Sequence, residues 1–188
     1  ELRTGSGVDK ILVTNGRVRG VVLENGAEIQ ADRVVSNLDA KRTFLQILDP
    51  KDAGEKVVKA AKRFKIRGSS GKLNIALNGV PEFPALPKGS RLIHGDFHIV
   101  DNMEAYERAY DDWKDGRFSK NPYIDALIPT LTDPTMAPEG KHFMSVFVQY
   151  CPPSVNGREW TDELVKEFGD NVIDHIAKYS PNFKDLIE

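Results

Sequence analysis

Two Asn-Gly dipeptides, Asn15-Gly16 and Asn25-Gly26, lie among short β-branched runs and limit the fold more tightly than any other feature of the chain. Both residues of such a pair tolerate positive φ, so the backbone reverses there and sets the pairing of the flanking strands. Ile11 and Val13 precede the first pair, Val18, Val21 and Val22 separate the two, and Ile29 follows the second. The pattern predicts a three-strand meander, with a fourth strand at 33–36 around Val34 and Val35.

Beyond residue 36 the periodicity changes. Asp39 is placed to cap a helix carrying Phe44, Leu45 and Leu48, and Pro50 stops it or starts the next. A second helix is expected over 51–64, with Val57, Val58, Ala61 and Phe64 on one side. In SSGKLNIALN, Leu73, Ile75 and Leu77 alternate with Lys72, Asn74 and Ala76, the pattern of a strand with one apolar and one polar face. Pro81, Pro84 and Pro87 make 79–90 a loop, and a strand is expected near 91–100. Asp101 and Glu104 have the spacing of a capping box before Met103, Tyr106, Ala109, Tyr110 and Trp113 at helical intervals. Strands near 123–129 and 142–150 flank TDPTMAPEGK, and Thr161 opens the longest helix, which Pro181 ends. The fold class is therefore α+β: a mixed, largely antiparallel sheet flanked by helices and preceded by a meander.

A length of 188 residues suits one domain, or one domain with part of another. Lys and Arg number 26 against 28 Asp and Glu, so no global field favours nucleic acid. No apolar run reaches the roughly 20 residues of a bilayer span. Cys151 is the only cysteine, which excludes an intrachain disulfide and a thiolate zinc cluster, and no Asn-x-Ser/Thr sequon occurs. Both features suit a reducing compartment, the cytoplasm or, in a eukaryote, the mitochondrion.

Few side chains point to chemistry by themselves. His94 and His98 are four apart but lack a third ligand, so no metal site is expected. Gly5-Ser6-Gly7 runs into strand residues, whereas a dinucleotide loop opens a helix. Cys151 has no histidine nearby in sequence to activate it. Lys56, Lys59, Lys62, Arg63, Lys65 and Arg67 form a basic run that reads first as a solvated face and second as a contact for phosphates or lipid headgroups. Lys72, on the polar face of its strand, reads first as an exposed lysine and second as a charge held over a reacting centre.

A resemblance adds to this reading. Val8 to Ile11, NGRVRGVVLENGAEIQADRVVSNLD and TFLQIL resemble the later part of the FAD domain in flavin-dependent oxidoreductases of the amine oxidase and phytoene dehydrogenase superfamily. KLNIALNGVPEF and LIPTLTDPTMAPEGKHFMSVFVQYCP resemble its phytoene dehydrogenase-like members, so the likeness covers essentially the whole chain. It implies that residues 1–48 are part of an FAD-binding domain and 49–188 a substrate-binding domain. It also implies that the Val8 backbone touches the adenine end of the cofactor, that Ser36 and Asn37 lie near it, and that Lys72 takes the place of a lysine near the flavin. The family's Gly-x-Gly-x-x-Gly unit and its glycine-rich flavin segment are not among residues 1–188, and the first residue is Glu1 rather than Met, so the chain is expected to be a piece of a longer enzyme.

Two readings follow. In the first, the longer protein uses FAD to take hydride from a hydrophobic or amine-bearing small molecule, while this chain alone binds no FAD and is inactive. In the second, the fold is a non-catalytic module that contacts a protein or a lipid surface through Lys56 to Arg67. Apolar surface left open in either case implies self-association.

Overall fold

The computed structural model describes residues 1–188, which divide into two compact units, Glu1–Ile66 and Arg67–Glu188. In the first, β1 (Val8–Thr14), β2 (Arg17–Leu23) and β3 (Glu28–Gln30) form the antiparallel meander in that order. Its two Asn-Gly turns differ. Asn15 and Gly16 both have positive φ, 52° and 71°, and close Thr14 onto Arg17. At the second, only Gly26 is left-handed, and the Asn25 side chain accepts from Ala27 N at 3.0 Å instead. A Cβ at Gly20 would stand 2.0 Å from the Ile29 carbonyl oxygen, so β2 and β3 meet this closely only because position 20 has none.

The expected strand at 33–36 is not one. Those residues join no ladder, and Val35 is 98% exposed, because the meander ends with the three-residue β3 and offers them no partner. Asp39 caps as expected, accepting from Lys41 N and Arg42 N to start α1 (Ala40–Arg42), which widens into a π-turn over Thr43–Ile47. The single helix expected over 51–64 is two. α2 (Pro50–Ala53) and α3 (Glu55–Arg63) are separated by Gly54, whose φ of 81° lies outside the right-handed helical region. Ala61 is the buried residue of α3, while Phe64 beyond it is 56% exposed.

The second unit is built on a four-stranded sheet of β4 (Ser70–Leu77), β5 (Phe97–Ile99), β6 (Tyr123–Leu127) and β7 (His142–Gln149), ordered β4-β7-β6-β5. Every pairing is antiparallel. The strand expected over 91–100 is confined to β5, because Ser90 starts a 3-10 turn over Arg91–His94 by accepting from Leu92 N. α4 (Met103–Lys114) is capped by Asn102, which accepts from Ala105 N at 2.8 Å; Asp101, the expected cap, lies one residue too early. Thr161 caps α5 (Asp162–Ala177), and α6 (Phe183–Leu186) follows it.

Directly paired residues of an antiparallel sheet share a face, so the register sorts the side chains. Ile75, Met144, Val146, Val148, Ile124 and Ala126 lie on one face and join Phe168, Val172 and Ile176 of α5 and Phe183 of α6 in one buried cluster. The opposite face carries the polar side chains of β4. No helix of the chain is long and apolar enough to cross a membrane.

Candidate functional site

The alternation in β4 leaves Lys72 and Asn74 on the open face, and long-range pairing decides what stands beside them. Lys72 pairs with Phe147 of β7, Phe147 with Asp125 of β6, and Asp125 with His98 of β5, so these four form one row across the sheet. The next row holds Asn74, Ser145 and Leu127. Phe147 is 39% exposed in the middle of the face.

One pole of this face is basic. Lys72 Nζ donates to Ser145 Oγ, which anchors the long side chain near the middle of the sheet. The other pole is acidic. Asp96, His98 and Asp125 bring a nitrogen and two oxygens within 4.8 Å of one another. His98 Nδ1 is hydrogen-bonded to the Tyr123 hydroxyl, and the carboxyls of Asp96 and Asp125 face each other, so the group is a pole of the sheet face engaged with itself. Burial, then the hydrogen bond and charge of Asp96, raise the pKa of Asp125 above the usual carboxylate range; His98 and Lys72 pull the other way. Lys72 and Asp125 flank Phe147 in the row, with the ammonium group held over β7 by Ser145, so a molecule lying on Phe147 would meet a positive charge and an acidic group beside the same ring.

Helix α4 borders the face through aromatic rings. Tyr106 packs edge-on against Tyr123 with ring centres 5.1 Å apart, and its hydroxyl accepts from that of Tyr150 at 3.4 Å. That bond and burial push the Tyr150 phenol up to about 12.

The other expected residues fall elsewhere. His94 lies in the 3-10 turn, outside the group that contains His98. Cys151 is half-buried, and burial raises its pKa, which favours the inert thiol. Lys56, Lys59, Lys62, Arg63, Lys65 and Arg67 are all exposed and make no ion pair. Val8 begins β1, 38% exposed; Ser36 Oγ is already bonded to Thr43 Oγ1 at 2.9 Å, and Asn37 is exposed with its side chain unengaged. In residues 1–188 no strand passes through a glycine-rich turn into a helix, since Gly5 and Gly7 lead into β1. A dinucleotide pyrophosphate is held at such a helix start. Ser145, Phe147, Asp125, Asp96 and Tyr123 are the site residues the sequence did not single out; period-two alternation in β6 and β7 was the only signal for four of them, and Asp96 precedes β5.

No protein-family model matches the chain. It is 33% identical over 185 residues to pyridine nucleotide-disulfide oxidoreductase domain-containing protein 2 of Rattus norvegicus, covering 94% of this chain and 32% of that protein. It is also 33% identical over 144 residues to the zeta-carotene-forming phytoene desaturase of Myxococcus xanthus, covering 77% of this chain and 25% of that protein. The chain is a homologue of the phytoene dehydrogenase-like oxidoreductases. A crystal structure of an oxidoreductase from Methanosarcina mazei shares the fold, with a TM-score of 0.50 at 18% identity over 96% of this chain and 35% of that one. This phytoene dehydrogenase-like chain spans about a third or less of the length of the curated relatives it matches.

Proposed function

We propose that the chain is the substrate-side portion of an FAD-dependent oxidoreductase, with the open face of the β4-β7-β6-β5 sheet lying against the substrate. The observation that carries this reading is the row of Lys72, Phe147, Asp125 and His98, because one exposed aromatic ring between two charged poles is what a mainly apolar molecule with a polar end needs. The names of the relatives support oxidoreductase chemistry. The reaction class is hydride removal from a hydrophobic or amine-bearing small molecule. Residues 1–48 would belong to the FAD-binding domain and 49–188 to the substrate-binding domain. Val8, Ser36 and Asn37 would touch the cofactor from its margin, its phosphates being held by a glycine-rich turn outside these residues. The test is flavin content. A longer form that includes such a turn should purify yellow with about one FAD per chain, while residues 1–188 purify colourless. A colourless long form would remove the oxidoreductase reading, and stoichiometric flavin on residues 1–188 would remove the division of labour.

A second reading rests on the six unpaired cations between Lys56 and Arg67, beside which Phe64 and Ile66 are 56% and 50% exposed. Exposed cations next to apolar side chains suit the surface of an anionic bilayer.

A further inference from the structure

Aromatic side chains are concentrated in one place beyond what packing of the core requires. Four of the five tyrosines and one of the two tryptophans stand in a single row. Trp113 stacks on Tyr110 with ring centres 5.5 Å apart, Tyr110 lies 5.2 Å from Tyr150, Tyr150 6.2 Å from Tyr106, and Tyr106 5.1 Å from Tyr123. Trp113 also reaches Tyr150 directly at 6.2 Å. Its members come from three elements: α4 supplies the rings at 106, 110 and 113, β6 supplies Tyr123, and Tyr150 follows β7. None of them belongs to the buried core cluster under α5.

These are the side chains that one-electron oxidants attack, and contact between rings lets an electron pass from each to the next. We propose that Trp113, Tyr110, Tyr150, Tyr106 and Tyr123 form a path for a one-electron oxidising equivalent between the outer end of α4 and the open sheet face, with His98 taking the Tyr123 proton. The role is independent of which substrate the face accepts and of whether the longer protein holds FAD.

The surroundings of each ring decide where the equivalent rests. An oxidised tyrosine loses its phenolic proton, so it is stable only beside a base. Tyr123 has one, since its hydroxyl meets His98 Nδ1. Tyr150 and Tyr106 have only each other's hydroxyls, which makes them stations of passage. Trp113 donates its ring N–H to the Gly68 carbonyl, which cannot take a proton. Lys114 Nζ sits 4.9 Å over the Tyr110 ring, and a cation there disfavours a second positive charge, so Tyr110 is not a trap.

The step at the inner end balances as follows. A one-electron oxidant at the sheet face, of the organic-radical or high-valent metal-complex class, takes one electron from the Tyr123 ring. The phenolic O–H bond breaks with its electron pair left on oxygen, and the proton passes to Nδ1, giving a phenoxyl radical and an imidazolium. An electron moving inward along the row restores the phenolate, which recovers the proton from His98. The vacancy reaches Tyr110, 37% exposed, and Trp113, where a soluble one-electron donor such as a thiolate fills it and leaves as a thiyl radical.

The test uses the chain in solution with photogenerated tris(bipyridine)ruthenium(III) as oxidant and freeze-quenched electron paramagnetic resonance as readout. The unaltered chain should give a tyrosyl signal; Tyr123→Phe and His98→Gln should each lower it at least several-fold, and Tyr150→Phe should slow its loss when a thiolate is added. Tyr179 lies outside the row but donates to the Asp101 carboxylate, so each comparison is made in a Tyr179→Phe background, which should still give the signal. Circular dichroism melting confirms that each variant is folded, and His98→Gln leaves all five rings in place should Tyr123→Phe repack. Equal signals from the unaltered chain, Tyr123→Phe and His98→Gln, or a signal lost only with Tyr179→Phe, would overturn the proposal.

Discussion

Substituting Gly71 by alanine isolates the packing that holds the strand of Lys72 in place. A methyl group there would stand 2.6 Å from both Cε1 and Cζ of Phe168 and 3.5 Å from the Cβ of Cys151. Carbon atoms rest about 3.5–4.0 Å apart, so the ring must retreat by roughly 1 Å. Phe168 is 7% exposed and meets Phe118 at 5.4 Å and Trp160 at 5.8 Å between ring centres, so it has little room to do so. Gly71 has no positive φ, which leaves overpacking as the only cost. Such insertions cost about 1–3 kcal/mol. Phe168→Leu alone should cost about 1–2 kcal/mol by opening a cavity. In the double variant the methyl fills part of that space, so the two costs should fall short of their sum by about 1 kcal/mol or more. Urea titration followed by tryptophan fluorescence reads this directly, because Trp113 and Trp160 both lie in the unit Arg67–Glu188. Additive costs, or a Gly71→Ala variant as stable as the parent, would refute the placement of α5 against β4.

Two further outcomes follow from charge. His175 is 1% exposed with its Nε2 unpartnered, and burial, then Lys178, depress its pKa below the ordinary 6.5 against a weaker pull from Asp101. The unfolded chain then binds the proton more readily, so stability should fall as pH drops below about 6.5 and level off below the folded pKa; chemical denaturation of His175→Leu against pH should show a shallower fall, and a parallel curve would contradict it. If the α3 surface meets membranes, Lys59→Glu with Lys62→Glu should weaken sedimentation with vesicles containing phosphatidylserine by several-fold, with most of the binding already lost at high salt. Unchanged binding would dismiss that surface.

The parts of the fold legible in the sequence are those fixed by neighbours along the chain. Asn15-Gly16 forced its hairpin because both positions accept positive φ, and Thr161 and Asp39 capped helices through bonds two or three residues away. The strand at 33–36 failed because a strand exists only through its partner, and Gly54 split a helix that side-chain periodicity alone would have continued. The site was half visible for the same reason. Alternation in β4 exposed Lys72, but its partner Ser145 is 73 residues away, and only sheet register sets Asp125 and His98 in its row. Likewise Tyr106, Tyr110 and Trp113 read as one side of a helix, while Tyr123 and Tyr150 join them through the later strands.

If a longer form carries FAD as proposed, the most direct measurement on the open sheet face is the anaerobic rate at which a substrate bleaches its flavin. Lys72→Ala, Asp125→Asn and Phe147→Ala should each slow it, the charged pair by about tenfold or more, while Val165→Ala, on an exposed position of α5, leaves it unchanged. Bleaching at the parental rate in all three face variants would contradict the placement of the substrate against this sheet.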